Sequence, residues 1–140
     1  MAAITYNIDK TEKEYIHFDG KSIQELKAFI YPDKNFEDCC GTITYEEDKR
    51  KASISIASVH EYGVYIGYSN SEHIYLSLSD KTKLCKVIDV WGDGLYVSEG
   101  LFISPQLAWK CICELIETGD MCKEVDWITS DELPEEGNYI

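Results

Sequence analysis

The chain has 140 residues, 44% hydrophobic and 28% charged, with 26 acidic against 13 basic side chains and a formal net charge of −13. That length fits one domain spanning 1–140, able to bury about 70% of its unfolded surface without disulfide or metal staples. The charge argues against direct nucleic-acid binding, whose affinity comes from neutralising phosphates, and against anionic membranes; it favours a basic protein partner.

At the N-terminus Ile4, Tyr6 and Ile8 alternate as a first strand, and Tyr15 to Phe18 suggests a second. The first ten residues lack a signal-peptide pattern, and no apolar run approaches the roughly 20 residues of a membrane helix. A cytoplasmic protein is therefore expected, with its six cysteines as thiols. "SIQELKAFIYP" reads as a helix: Ser22 and Glu25 have capping-box spacing, Ile23, Leu26 and Ile30 share a face, and Pro32 stops it. Asp33 to Cys40 reads as a loop.

From Gly41 to Ser104 short alternating runs follow one another across polar turns. "GTITYEED" sets Ile43 and Tyr45 on one side, and "KASISIASV" sets Ala52, Ile54 and Ile56 against serines. "GVYIGYS", "HIYLSLS", "LCKVIDV" and "LYVSEGLFIS" complete an antiparallel meander, which leaves one face for helices to cover. The covering helix is Pro105 to Thr118: Ser104 suits the N-cap, Pro105 the first turn and Gly119 the C-terminal cap. Its polar residues, Gln106, Lys110, Glu114 and Glu117, form one narrow stripe, so most of its circumference should be buried. "CKEVDWIT" reads as a last strand, and residues 131–140 as an exposed acidic tail. The expected class is α+β, an antiparallel meander covered by this long helix and the shorter N-terminal one.

Three of the six cysteines fall between Lys110 and Trp127. Successive helical residues turn by about 100°, so Cys111 and Cys113 point apart and do not share a metal ion. No C-x-x-C pair and no neighbouring histidine supplies zinc spacing, so packing is the expected role. A thiol enzyme would need Cys85 beside His60 or His73, without any recognisable nucleophile signature. "DVWGDG" alternates acids and glycines but lacks the further ligands of a calcium loop, and Gly-Asp-Gly between strand patterns is hairpin chemistry. Trp91 beside that turn is either an exposed contact or a core residue folded back. Tyr62, Tyr65, Tyr68 and Tyr75 cluster in the meander, with Tyr65 expected to face opposite to Tyr62 and Tyr68, and whichever set faces outward offers rigid contact area.

The segment "LFISPQLAWKCICELIETGDMCKEVDWI", Leu101 to Ile128, resembles the closing segment of the first immunity-protein family of bacterial polymorphic-toxin systems, which act in contact-dependent inhibition. The likeness rests on "ISP" at Ile103 to Pro105 opening the helix, "TG" at Thr118 and Gly119, and Trp127 on the last strand. The resemblance implies a cytoplasmic protein without enzymatic activity or cofactor that binds and neutralises a cognate toxin domain, often a nuclease or nucleic-acid deaminase. The candidate contacts are Glu61, Tyr62, Asp89, Trp91, Asp93 and Glu99 on loops and strand ends, with the acidic turn Glu46, Glu47 and Asp48 as a second set. An open sheet edge could also accept a strand from the partner. Three other readings stay open: an acidic nucleic-acid mimic that binds a DNA-binding protein other than a toxin, the enzyme using Cys85 with His60 or His73, and a structural domain of a larger complex.

Overall fold

A computed structural model describes residues 2–10, 16–20, 22–32, 36–59, 61–90 and 95–133. Along the chain these form β1 (Ala3–Lys10), β2 (Ile16–Gly20), α1 (Ile23–Ile30), β3 (Cys39–Glu47), β4 (Arg50–Val59), β5 (Gly63–Asn70) and β6 (Ile74–Leu78). There follow β7 (Val87–Val90), β8 (Leu95–Ser98), β9 (Phe102–Ile103), α2 (Pro105–Thr118) and β10 (Asp126–Ile128). No helix among the described residues is long and apolar enough to cross a membrane.

Alternation explains the sheet. Ile43 on β3 stands opposite Ile54 on β4, which stands opposite Tyr68 on β5, so one face of successive strands is continuously apolar. The meander β3 to β6 is extended on one side by β10 and on the other by β1 and then β2, in the order β10-β6-β5-β4-β3-β1-β2. All these pairings are antiparallel. β6 leaves β5 after Leu76, and β9 takes its place by pairing Val64 with Ile103. Ser77 fills this junction: it is wholly buried, accepts the Ile66 N–H at 3.0 Å and donates to the Leu101 carbonyl at 2.7 Å.

The expected continuation of the meander past β6 is corrected here. Among the described residues, β7 and β8 pair only with each other, as a separate ribbon. A 3₁₀ turn at Glu99–Leu101 breaks the run "LYVSEGLFIS" between β8 and β9. This ribbon and turn supply Val97 and Leu101 to a second, smaller core with Tyr65, Leu76, Leu78, Phe102 and Ile128 on the sheet's other face. The rest of that face, including exposed Thr42 and Ser55, is open and hydroxyl-lined.

The main core lies between the apolar face and the helices. Ala108, Cys111, Ile112 and Leu115 of α2 and Leu26 and Ile30 of α1 pack on Tyr6, Ile8, Ile43, Ile54, Ile66 and Tyr68. Only one face of α2 is fully buried; Leu107, Trp109, Cys113 and Ile116 are half-buried at its margins, so the helix is less enclosed than its narrow polar stripe implied. The caps are as expected. Ser104 Oγ accepts the Leu107 N–H at 3.3 Å, and Gly119 takes φ +76°, its N–H reaching the Leu115 carbonyl at 2.8 Å. A side chain at Gly119 would bring Cβ within 2.7 Å of the Tyr45 ring, so the left-handed cap and the close approach both call for glycine.

Two strand boundaries differ from the sequence reading. β3 starts at Cys39, inside the expected loop, and the last strand shrinks to Asp126–Ile128. Tyr15 and residues 134–140 of the tail lie outside the described residues.

Candidate functional site

A concavity opens at the end of the sheet where α2 begins, with about 850 Å³ of open volume. Its position follows from topology. The β4–β5 turn forms one wall with Glu61 and Tyr62, and the entry to β10 forms the other with Glu124 and Asp126. The segment leading into β3 adds Glu37 and Asp38, held there because the Glu37 N–H donates to the Ile30 carbonyl at 2.7 Å and Cys39 pairs with Ser58. Ser104, Pro105 and Leu107 at the start of α2 overhang it.

The floor is apolar: Phe36, Val64, Phe102, Ile103 and Val125 are all buried. Tyr62 is 38% exposed and its ring lies 5.9 Å from that of Phe102. Gly63 permits the turn that presents them. Its φ is +113°, and a Cβ there would sit 2.4 Å from the Ile103 carbonyl oxygen.

Five carboxylate side chains line this groove, and no lysine, arginine or histidine is among the described residues that do. Glu124 also meets Lys110 Nζ at 3.2 Å, but both side chains are more than half exposed, and such pairs add little stability. Among the described residues no three or more potential ligands converge as a metal cluster. No protein-family model, no curated protein and no solved structure matches this chain. The site is therefore read from its own chemistry. An acidic rim over an apolar floor suits a cation carried on an apolar stem.

One further group distinguishes the groove. Ser58 is 1% exposed, and its hydroxyl has no hydrogen-bond partner among the described residues. Its two buried counterparts are satisfied, Ser77 as described and Ser98 by donating to the Leu84 carbonyl at 2.7 Å. An unpaired buried hydroxyl costs roughly 1–3 kcal/mol, so its retention at a groove needs a reason.

The sequence-derived contacts fall in three separate places. Glu61 and Tyr62 are in the groove. Glu46, Glu47 and Asp48 lie on the β3–β4 hairpin, where they are partly engaged within the chain. Tyr45 Oη donates to Glu47 at 2.5 Å, a bond that holds the Glu47 carboxyl below and the Tyr45 phenol above their ordinary pKa ranges. Glu46 lies 3.9 Å from Lys51, and Asp48 takes the turn position at φ 54°. Asp89 is exposed on the β7–β8 ribbon, and half-buried Glu99 is tied to that ribbon's approach by its N–H, which reaches the Lys86 carbonyl at 2.7 Å. Trp91 and Asp93 lie outside the described residues.

Sequence reasoning missed Glu37, Asp38, Ser58, Glu124 and Asp126. A signal for Ser58 was present: the inward series on β4 runs Ala52, Ile54, Ile56, Ser58, and the serine interrupts it. Of the tyrosine cluster, Tyr65 and Tyr68 do face opposite ways, but both are buried, so each serves a core and neither a surface.

The thiols are placed as follows. Cys111 and Cys122 are buried and adjacent, and burial first, then Cys122, pushes the Cys111 thiol well above its ordinary range. Cys85 is exposed beyond one end of β6, whereas His73 precedes its other end. Five residues at about 3.3 Å each separate those ends. His60 lies outside the described residues.

Proposed function

We propose that this protein acts by binding rather than turnover, as an immunity protein that neutralises a cognate toxin domain by occluding its active or substrate-binding face. The observation that carries this reading is the groove: five carboxylates over an apolar floor, on a chain of formal charge −13. A nuclease or nucleic-acid deaminase must present a basic surface to its substrate, and an acidic concavity is complementary to it. The motifs behind the resemblance support the same reading, since Ser104 caps α2, Gly119 ends it and Trp127 lies on the strand that borders the groove. The sequence-derived contact set is narrowed accordingly, with Glu61 and Tyr62 kept at the centre and the hairpin and ribbon acids moved to the periphery.

The test is co-expression with the toxic C-terminal domain encoded by the gene immediately upstream. The reading predicts that cells survive and that the two chains co-purify as a complex weakened by salt. Death of the cells with this chain expressed and folded would overturn it.

A further inference from the structure

We propose that the groove is built to seat one arginine side chain, presented by an extended segment of the partner whose backbone reaches Ser58. This rests on the reading above that the chain binds a cationic protein. Three features of the groove select this occupant among cations.

The first is the spread of charge. Glu61 stands on the β4–β5 wall and Asp126 on the β10 wall, beside Glu124, which Lys110 meets at 3.2 Å. These acids flank a channel instead of converging on a point, and no metal cluster forms among the described residues. A guanidinium, planar and with five donors, can engage carboxylates on both sides at once, where a compact ammonium engages fewer.

The second is the floor. Phe102 and Val125 line the groove as apolar surface for the aliphatic stem, and the partly exposed ring of Tyr62 beside Phe102 offers a face on which a guanidinium stacks. The volume exceeds what one side chain fills, so neighbouring backbone of the same segment enters with it.

The third is Ser58. Its hydroxyl is buried and unpartnered, and it lies on the strand residue opposite Val64, in the groove wall. A backbone amide or carbonyl of the incoming segment supplies the missing partner. The complex then satisfies a group that the free protein leaves unpaired.

The experiment is an amide NMR titration of the full, isotope-labelled chain with acetyl-Gly-Arg-Gly-amide, compared with its citrulline counterpart, which keeps the shape and removes the charge. The arginine peptide is expected to shift Val64, Leu107 and Asp126 saturably, and the citrulline peptide to bind at least about tenfold more weakly. The double variant Glu61→Gln/Asp126→Asn should weaken the arginine peptide by a similar factor, and Ser58→Ala by roughly threefold with the fold intact. Equal binding of the two peptides, shifts scattered over the acidic surface, or no shifts at all would overturn the proposal. The peptide assay does not involve a toxin. If the peptide fails while the chain still protects cells, only the arginine seat falls. If the peptide binds but the chain protects against nothing, the immunity reading falls and the seat stands.

Discussion

The two ends of α2 set acidic side chains in different surroundings. At its C-terminal end they are consumed inside the fold: Arg50 pairs with Asp120, donates to the Thr118 carbonyl at 2.6 Å and lies over the Tyr45 ring, while Tyr45 donates to Glu47 and Tyr68 donates to the Gly119 carbonyl at 2.8 Å. A cation at a helix C-terminus also complements the helix dipole. At the N-terminal end, about 20 Å away at 1.5 Å per residue, carboxylates gather around a groove that no described basic residue lines. One end is a clamp closed by Arg50; the other is an open groove, where Glu124 meets Lys110 and Glu37 and Asp38 have contacts of their own. Net charge alone does not distinguish them; the placement of Arg50 does.

The largest expected effect lies at the clamp. Gly119→Ala forces a Cβ into the left-handed cap and against the Tyr45 ring, and should cost about 2 kcal/mol, read as a lower denaturant midpoint with unchanged slope. A neutral outcome would show that the clamp yields easily and that the contrast between the ends is weaker than drawn.

At the groove the sign reverses. Ser58→Ala removes an unpaired buried hydroxyl and should stabilise the free protein by about 1 kcal/mol in the same unfolding measurement. Destabilisation would mean that the hydroxyl is satisfied in the free chain, and the groove would lose its distinguishing group.

The smallest effect is a pH dependence at the clamp. The folded pKa of Glu47 is depressed, chiefly by the Tyr45 hydrogen bond, so its contribution is present above the ordinary carboxylate pKa and is lost as pH falls through the folded value. Glu47→Gln should flatten that part of the acid limb. It should also bring the Tyr45 phenol, read by ultraviolet titration, down toward its ordinary pKa. An unchanged acid limb and tyrosine titration would separate Glu47 from the clamp.

Much of the scaffold was legible in the sequence, for local reasons. Ser104, Pro105 and Gly119 mark the ends of α2, and the alternation from Ile43 to Ile56 sets the inward face of the meander. The separate ribbon was not, because β7 and β8 alternate like any strand pair, while 3₁₀ turns on either side, at Lys81–Lys83 and Glu99–Leu101, set them apart from the sheet. The site was half legible. Glu61 and Tyr62 stood out as an acid and an aromatic residue at a turn. Glu37 and Asp38 reach them only through the pairing of β3 with β4, and Glu124 and Asp126 only because β10 pairs with β6. The first depends on the early start of β3 inside the expected loop and the second on a pairing between strands distant in sequence, and no local pattern encodes either.

The most direct test compares charge removal at the two ends in a pull-down with the toxin domain encoded upstream. Glu61→Gln/Asp126→Asn should lose the complex at moderate salt, while Glu46→Gln/Asp48→Asn on the hairpin should keep it. Retention by the groove pair together with loss by the hairpin pair would contradict the account.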